Sequence, residues 1–203
     1  MSLHLILGPM FSGKSSEVLG TIRKYKAIGW PTLVITNTID MRYSDVPAII
    51  SHNSDSYPAI AVPSSGLSGL RSMSEYTQCR LLIIEEAQFF SGLKEFVLRA
   101  VEVDGKDVLC VGLDGDIKRK PFGELLELVP FCNTIVKKHA FCSRCSVPTE
   151  ALFTSKRGGD DATEEQVLAS PGPTVQVQVG GAELYEPLCR KHYLESNAIN
   201  KEG

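Results

Sequence analysis

The sequence lacks the features that define several large classes of protein. No apolar run approaches the roughly 20 residues that a membrane-spanning helix needs. Positive charge is not in excess, and the net charge of −3 gives no electrostatic basis for binding nucleic acid. The first apolar run is short and has no basic flank. We therefore expect no signal peptide and a cytoplasmic location, where thiols stay reduced.

The bulk composition is that of an ordinary globular chain. Its 203 residues, of which 43% are hydrophobic and 22% charged, are enough for one domain and a small appendage. The 6 cysteines need an explanation other than disulfide bonds if the chain stays in a reducing compartment. We expect each of them either to pack in a core or to bind a metal ion.

One glycine-rich stretch near the start matches the phosphate-binding pattern G-x-x-x-x-G-K-S. A short apolar run precedes it at residues 3–7, and residues 18–25 carry apolar side chains at helical spacing. Strand, loop and helix in this order place a phosphate at a helix N-terminus, where N–H groups and the helix dipole favour negative charge. In this pattern Lys14 reaches the β- and γ-phosphates of a nucleoside triphosphate, and the Ser15 hydroxyl holds Mg²⁺. The candidate phosphate-binding residues, which would hold ATP if the nucleotide is ATP, are Gly8, Pro9, Met10, Phe11, Ser12, Gly13, Lys14, Ser15 and Ser16.

Further apolar runs alternate with helical patterns up to about residue 138. Strands are predicted at residues 32–36, 59–62, 81–84 and 108–113, and helices at residues 64–78, 93–101 and 124–129. This alternation predicts an α/β fold with a P-loop, RecA-like parallel sheet and helices on both faces. We expect this nucleotide-binding domain to span residues 1–138.

The apolar run at residues 81–84 is followed by two carboxylates, Glu85 and Glu86. A buried strand that brings carboxylates to the nucleotide is the Walker B pattern. Adjacent side chains on an extended chain point to opposite sides, so one glutamate could face Mg²⁺ and the other the acceptor hydroxyl. A strand that simply ends in solvated glutamates is the alternative, but the apolar pair Phe89 and Phe90 directly beyond argues against it.

Two short motifs in the last third of the chain indicate a metal site. Cys142 and Cys145 form a C-x-x-C, and Cys189 and His192 form a C-x-x-H. Four such ligands suit tetrahedral Zn²⁺ in a closed, structural site, although the interval between the pairs is longer than in most zinc ribbons. A redox C-x-x-C is the main alternative, but it leaves the C-x-x-H unexplained. Zinc would fix the base of a long loop in a second domain, residues 139–203.

In combination, these motifs resemble those of the type II thymidine kinases. The resemblance runs from LILGPMFSGKS through DMRY, EEAQFF, LDGDIKRKPFG and VGGAELY to CRKHY. It implies transfer of the γ-phosphoryl group of ATP to the 5′-hydroxyl of thymidine, and also of deoxyuridine, in pyrimidine salvage. It further implies a homotetramer or dimer, feedback inhibition by dTTP, and a zinc-ribbon lasso domain that covers the nucleoside.

The resemblance also assigns roles to individual residues. Glu86 would be the general base for the 5′-hydroxyl, Arg42 would lie near the transferred phosphate, and Glu85 would hold Mg²⁺ together with Ser15. The lasso would recognise the pyrimidine largely through backbone groups. The residues implied to enclose the nucleoside are Met10, Phe89, Leu113, Ile117, Phe122, Thr154, Gln178, Val179, Gly180 and Tyr185.

Several positions depart from the family's usual pattern. Glu85 stands where aspartate is more frequent, and Ile117 stands where a phenylalanine commonly lines the pocket. His192 replaces a fourth cysteine, but imidazole is an equally good zinc ligand. The lasso is longer than expected and carries an acidic insert at residues 158–165, which we expect to be disordered or to close only with ligand.

A P-loop ATPase whose zinc knuckle docks another macromolecule is the alternative interpretation. The phosphate-binding motif alone would allow it. The negative net charge and the lack of a basic stripe argue against nucleic acid as its partner. A binding-only relative is a third interpretation, which the intact Lys14, Ser15 and Glu86 disfavour.

Overall fold

The computed structural model describes residues 1–40, 48–50, 56–157 and 180–198. The strands in these ranges are β1 (Ser2–Leu7), β2 (Thr32–Asn37), β3 (Ala48–Ile50), β4 (Ser56–Pro58), β5 (Ile60–Val62), β6 (Leu81–Ile84), β7 (Asp107–Gly112), β8 (Thr134–Lys137), β9 (Ala140–Phe141), β10 (Glu150–Ala151), β11 (Phe153–Lys156) and β12 (Tyr185–Leu188). The α-helices are α1 (Lys14–Ala27), α2 (Leu67–Leu70), α3 (Ser74–Gln78), α4 (Leu93–Glu102) and α5 (Arg190–Ala198). Short 3₁₀ helices cover Thr38–Asp40, Ala87–Phe89 and Leu125–Phe131.

Six of the strands form one parallel sheet, in the order β5-β2-β6-β7-β1-β8. Every residue of β6 and β7 is buried, which explains why these strands read as continuous apolar runs in the sequence. The predicted α/β fold with a parallel sheet is confirmed. Because the strands run in the same direction, the carboxyl ends of β1, β6 and β7 meet at one edge of the sheet.

Helices pack on both faces of this sheet, as the sequence predicts. On one face α1 contributes Val18, Leu19 and Ile22 to an apolar cluster. On the other face α2, α3, α4 and the 3₁₀ helix Leu125–Phe131 share a larger cluster. Side chains alternate along β1, so that Leu5 belongs to the larger cluster and Ile6 to the smaller one. None of the helices in the described ranges is long and apolar enough to cross a membrane.

Two helical predictions differ from the structure. The single helix expected at residues 64–78 is two short helices, α2 and α3, because Met73 has an extended backbone with φ −81° and ψ 141°. Just before it, the Ser72 hydroxyl donates to the Gly69 carbonyl at 2.8 Å, a local bond that competes with helix continuation. The helix expected at residues 124–129 is a 3₁₀ helix that contains Pro130, which has no N–H to donate.

The chain after β8 folds into two small antiparallel sheets, β9–β10 and β11–β12, and the helix α5. A third apolar cluster holds this part together and includes Ala151, Leu188 and Tyr193. Phe11, which belongs to the glycine-rich loop between β1 and α1, packs against this cluster. The C-terminal part therefore lies against the loop predicted to bind phosphate.

A substitution at Leu82 tests how much the larger apolar cluster contributes to stability, because this side chain is fully buried in the middle of β6. Replacing Leu82 with alanine should lower the free energy of unfolding by about 2–5 kcal/mol, since apolar contacts are lost and a cavity remains. Denaturant unfolding followed by circular dichroism measures the change. Leu194→Ala makes the same substitution at a side chain of α5 that is 48% exposed, and it should change the stability by less than about 0.5 kcal/mol. Equal losses in the two variants would contradict this packing.

Candidate active site

The glycine-rich loop connects β1 to α1, as predicted. It leaves the sheet edge at Leu7, and α1 begins at Lys14. Phe11 and Gly13 have positive φ angles of 64° and 75°, which curl the loop before the helix starts. Across the described residues, no side chain caps the first turn of α1. The N–H groups of that turn and the helix dipole therefore favour an anion at this position.

The side chain of Lys14 folds back over the loop. Its Nζ donates to the carbonyl oxygens of Gly8 at 3.1 Å and Pro9 at 2.8 Å. Ser15 follows in the first turn of α1 and is half-buried, and Ser16 is exposed. The loop and the first turn thus hold together an ammonium group, hydroxyl groups and backbone N–H groups, which are the groups that bind phosphate.

The two glutamates follow β6, whose carboxyl end lies two strands away from that of β1. At the usual strand spacing these two ends are about 10 Å apart. Glu85 is buried and Glu86 is half-buried. The prediction that both lie on an extended chain is wrong, because β6 ends at Ile84 and Glu86 has a left-handed backbone with φ 49° and ψ 42°. The difference in exposure between Glu85 and Glu86 therefore arises at a turn and not from alternation along a strand.

Several predicted nucleoside-binding side chains lie beyond the carboxyl ends of β6 and β7. The rings of Phe89 and Phe122 contact each other edge to face, with centroids 5.3 Å apart. Leu113 directly follows β7, and Ile117 lies in the loop after it. Aromatic and aliphatic walls of this kind suit a flat base.

Thr154 joins the C-terminal part of the chain to the phosphate-binding loop. Its side chain lies on β11, is 5% exposed, and accepts a hydrogen bond from the Met10 N–H at 3.0 Å. Tyr185 lies on the neighbouring strand β12, where it pairs with Lys156. Gly180 is buried at the start of the segment that leads to β12. Thr154 therefore directly contacts the loop that is predicted to bind ATP.

Tyr193 is a residue that the sequence analysis missed. It lies on α5 directly after His192, and its hydroxyl donates to the Ile117 carbonyl at 2.6 Å. The guanidinium group of Arg119 lies 4.8 Å from the centre of the Tyr193 ring. These contacts fix the loop after β7 against α5. The only signal in the sequence was the aromatic residue at the end of CRKHY.

Gln88 was also missed, although it lies within the motif EEAQFF. Its side chain is 3% exposed and lies between Glu86 and the end of β7. A glutamine inside an otherwise apolar stretch was the available signal, because a buried amide needs hydrogen-bond partners.

Arg42, Gln178 and Val179 lie outside the described residues, as does the acidic insert at residues 158–165. Their predicted roles stay predictions. The remaining predicted site residues lie in the described ranges, at the sheet edge, in the glycine-rich loop, or in the C-terminal part.

Cys142, Cys145, Cys189 and His192 come together as the two motifs predict, with their ligand atoms all within 4.8 Å of one another. The His192 Nδ1 lies 3.4 Å from the sulfur atoms of Cys142 and Cys145 and 3.5 Å from that of Cys189. The sulfur atoms of Cys145 and Cys189 are 3.8 Å apart. This cluster could hold a metal ion.

The surroundings of Cys142 favour its thiolate form. Burial opposes ionisation of Cys142, but backbone N–H groups at Cys189 and Arg144 and the His192 ring outweigh it and lower the pKa of Cys142 to about 6. The thiolate is the form of cysteine that binds metals. The turn that carries Cys142 is itself fixed, because buried Glu186 accepts hydrogen bonds from the Ser143 hydroxyl at 2.6 Å and from the Arg144 Nε at 3.2 Å.

Comparison with known proteins gives a consistent result. A family model described as thymidine kinase matches residues 1–193. Thymidine kinase a of Arabidopsis thaliana is 32% identical over 201 residues, which cover 98% of this chain and 78% of the plant protein. Thymidine kinase of Vaccinia virus (strain Western Reserve) is 33% identical over 194 residues, which cover 96% of this chain and 97% of the viral protein. The chain therefore belongs to the thymidine kinase family.

Proposed function

We propose that the chain transfers the γ-phosphoryl group of ATP to the 5′-hydroxyl of thymidine, and also to that of deoxyuridine. Membership of the thymidine kinase family supports the reaction. The observation that carries the proposal for this chain is the contact between Thr154 and Met10. It brings the C-terminal part directly against the loop proposed to bind the donor, and a detached docking module of an ATPase would have no need of this contact.

Phosphoryl transfer needs positioning and charge stabilisation more than covalent chemistry. On this proposal, the loop from Gly8 to Gly13 and the first turn of α1 bind the phosphates through backbone N–H groups. Lys14 exchanges its bonds to the Gly8 and Pro9 carbonyls for the β- and γ-phosphates. Arg42 would add a second positive charge near the transferred group, as the resemblance implies.

Glu86 is the proposed general base. It follows the strand two positions away from the phosphate-binding strand, and it is more exposed than Glu85. These strand ends are about 10 Å apart with β7 between them, so the phosphoryl group and the acceptor hydroxyl would lie beyond the end of β7. Glu86 would accept the proton of the 5′-hydroxyl as the oxygen–phosphorus bond forms.

The proposed acceptor site uses apolar and aromatic side chains. Phe89 and Phe122 form a continuous aromatic wall, and Leu113, Ile117, Met10 and Tyr185 would extend it. Thr154, Gly180, Gln178 and Val179 complete the set that the resemblance implies. A closed apolar site of this kind excludes water and so limits hydrolysis of ATP.

Two metal ions are proposed. Ser15 and Glu85 offer hydroxyl and carboxylate oxygen atoms, which suit Mg²⁺, and Mg²⁺ neutralises charge on the β- and γ-phosphates. Zn²⁺ suits the Cys142 cluster, because a tetrahedral zinc site places sulfur atoms about 3.8 Å apart and a sulfur and a nitrogen atom about 3.5 Å apart. The distances between the ligand atoms fit these values. With four protein ligands the zinc would be structural.

The remaining proposals rest on the family resemblance and on composition. We propose a boundary between a nucleotide-binding domain, residues 1–138, and a zinc-binding lasso domain, residues 139–203. We also propose a homotetramer or dimer, inhibition by dTTP, and a cytoplasmic location, which is consistent with free cysteines throughout the described residues.

A phosphoryl-transfer assay tests the proposed function. Purified protein is incubated with Mg-ATP labelled at the γ-phosphate and with thymidine, deoxyuridine, deoxycytidine or a ribonucleoside. Label should appear in thymidine and deoxyuridine monophosphates. Label released only as inorganic phosphate, and stimulated by a macromolecule instead of a nucleoside, would favour the ATPase interpretation.

Replacing Glu86 with glutamine should lower kcat for thymidine about 10²- to 10⁴-fold, because the base is lost while the shape of the site is kept. The affinity for ATP should stay nearly unchanged, as measured by calorimetry with a non-hydrolysable analogue. Glu102→Gln makes the same change at an exposed position at the end of α4 and should leave both quantities unaltered. Equal losses of turnover and ATP affinity in Glu86→Gln would point to a structural role.

Replacing Cys145 with alanine should lower the zinc affinity at least about 100-fold, because one of four ligands is removed. Zinc content by mass spectrometry measures this. The KM for thymidine should rise at the same time, since Thr154 and Tyr193 depend on the metal-binding part for their position. Cys132→Ala is the matched control, because Cys132 lies outside the cluster. Full zinc retention in Cys145→Ala would exclude the proposed ligand set.

A further inference from the structure

Gln88 links the proposed general base to the wall of the proposed acceptor site. It lies in the 3₁₀ turn Ala87–Phe89, directly after the two glutamates. Its Nε2 is 2.5 Å from the Glu86 Oε2, and its Oε1 is 3.1 Å from the Leu113 backbone nitrogen. A single buried amide therefore contacts both the carboxylate and the first residue after β7.

The chemistry of its partners fixes the orientation of this amide. The Leu113 N–H can only donate, so the Gln88 oxygen must face it. The Gln88 amino group then faces Glu86, and an ionised carboxylate can only accept. Turning the amide over would set donor against donor at Leu113 and acceptor against acceptor at Glu86. Leu113 therefore donates to Gln88, and Gln88 in turn donates to Glu86.

Two glycines make room for Gln88. A Cβ atom on Gly112, the last residue of β7, would lie 2.2 Å from the Gln88 Oε1. A Cβ atom on Gly123 would lie 2.2 Å from the Gln88 carbonyl oxygen, and Gly123 also has a φ of 59°. The segments before and after the loop at residues 113–122 therefore approach Gln88 more closely than any side chain would allow. This packing leaves the amide little freedom to move.

The 3₁₀ turn Ala87–Phe89 is also held in place by a residue of β2. Asn37, fully buried at the end of β2, donates through its Nδ2 to the Phe89 carbonyl at 3.4 Å and to the Ser64 hydroxyl at 3.2 Å. Glu86 has a left-handed backbone, which costs energy for any residue with a Cβ atom. A turn that contains such a residue persists only when its surroundings hold it in place.

We propose that Gln88 is a positioning residue for phosphoryl transfer. It holds the Glu86 carboxylate in one orientation and ties that orientation to Leu113 in the wall of the acceptor site. The proposal rests on the proposed role of Glu86 as general base. Gln88 acts through Glu86 and is not itself expected to contact the reacting atoms.

Gln88→Met removes both hydrogen bonds while nearly keeping the volume of the side chain. Methionine has no amino group to donate to Glu86 and no amide oxygen to accept from the Leu113 N–H. We expect kcat for thymidine to fall about 10- to 100-fold, with the KM for ATP changed less than about 2-fold. A kcat equal to that of the unmodified protein would overturn the proposal. Gln78→Met, at an exposed position at the end of α3, is the matched control.

A double-mutant comparison tests whether Gln88 acts through Glu86. If it does, adding Gln88→Met to Glu86→Gln should lower single-turnover rates by less than about 2-fold, because the effects of substituting residues that act as a unit are not additive. A further loss as large as that in the unmodified background would overturn the proposal. Denaturant midpoints of each variant show whether the fold is kept.

A crystal structure of Gln88→Met, without substrates, gives a readout that does not depend on activity. Methionine keeps the length of the side chain and removes both hydrogen bonds. The Glu86 carboxylate should leave its position beside residue 88, and an unmoved carboxylate would overturn the positioning role. Absence of thymidine monophosphate with the unmodified protein would overturn the proposed function alone, and the position of Glu86 in this variant would still decide the role of Gln88.

Discussion

In the central sheet β1, β7 and β6 run side by side in the same direction, so the segments that follow them leave from one edge. The segment after β1 is the glycine-rich loop, the one after β6 carries the two glutamates, and the one after β7 begins at Leu113. Parallel strands need crossover connections, and the helices in such connections cover both faces of the sheet. The alignment of the strands brings a phosphate-binding loop, a carboxylate and an apolar wall together, although they are far apart in the sequence.

The C-terminal part of the chain depends on this edge and completes it. Thr154 accepts a hydrogen bond from Met10 in the glycine-rich loop, and Tyr193 donates one to Ile117 in the loop after β7. Tyr193 is adjacent to His192 of the Cys/His cluster, so the cluster lies one residue from a contact with the proposed acceptor site. A metal ion in the cluster would hold β11, β12 and α5 in the arrangement that makes both contacts.

Most of the fold could be predicted from the sequence, because continuous apolar runs indicate buried strands and apolar residues at helical spacing indicate helices that pack on the sheet. The strand–loop–helix around Lys14 and the buried strand before Glu85 are examples. The helix expected at residues 64–78 failed because side-chain hydrogen bonds such as that of Ser72 compete locally with the helix. Leu82, in contrast, lies where its apolar run indicates.

The site was predicted less completely than the fold. The spacing of the cysteine pairs was enough to indicate the cluster, since metal ligands constrain each other directly. The left-handed backbone at Glu86 left no local signal, and the residues after it are contacted by Asn37, Gly112 and Gly123, which are distant in the sequence. The contacts of Gln88 and Tyr193 likewise join residues that are distant in the sequence.

A crystal structure of the protein with thymidine and an ATP analogue that has a non-hydrolysable β–γ bridge tests the central claim most directly. The claim is that one sheet edge holds donor and acceptor together. The γ-phosphate should contact Lys14, and the 5′-hydroxyl of thymidine should lie about 3 Å from the Glu86 carboxylate, with its base against Phe89. Thymidine bound away from this edge, or a 5′-hydroxyl that faces a group other than Glu86, would contradict the account.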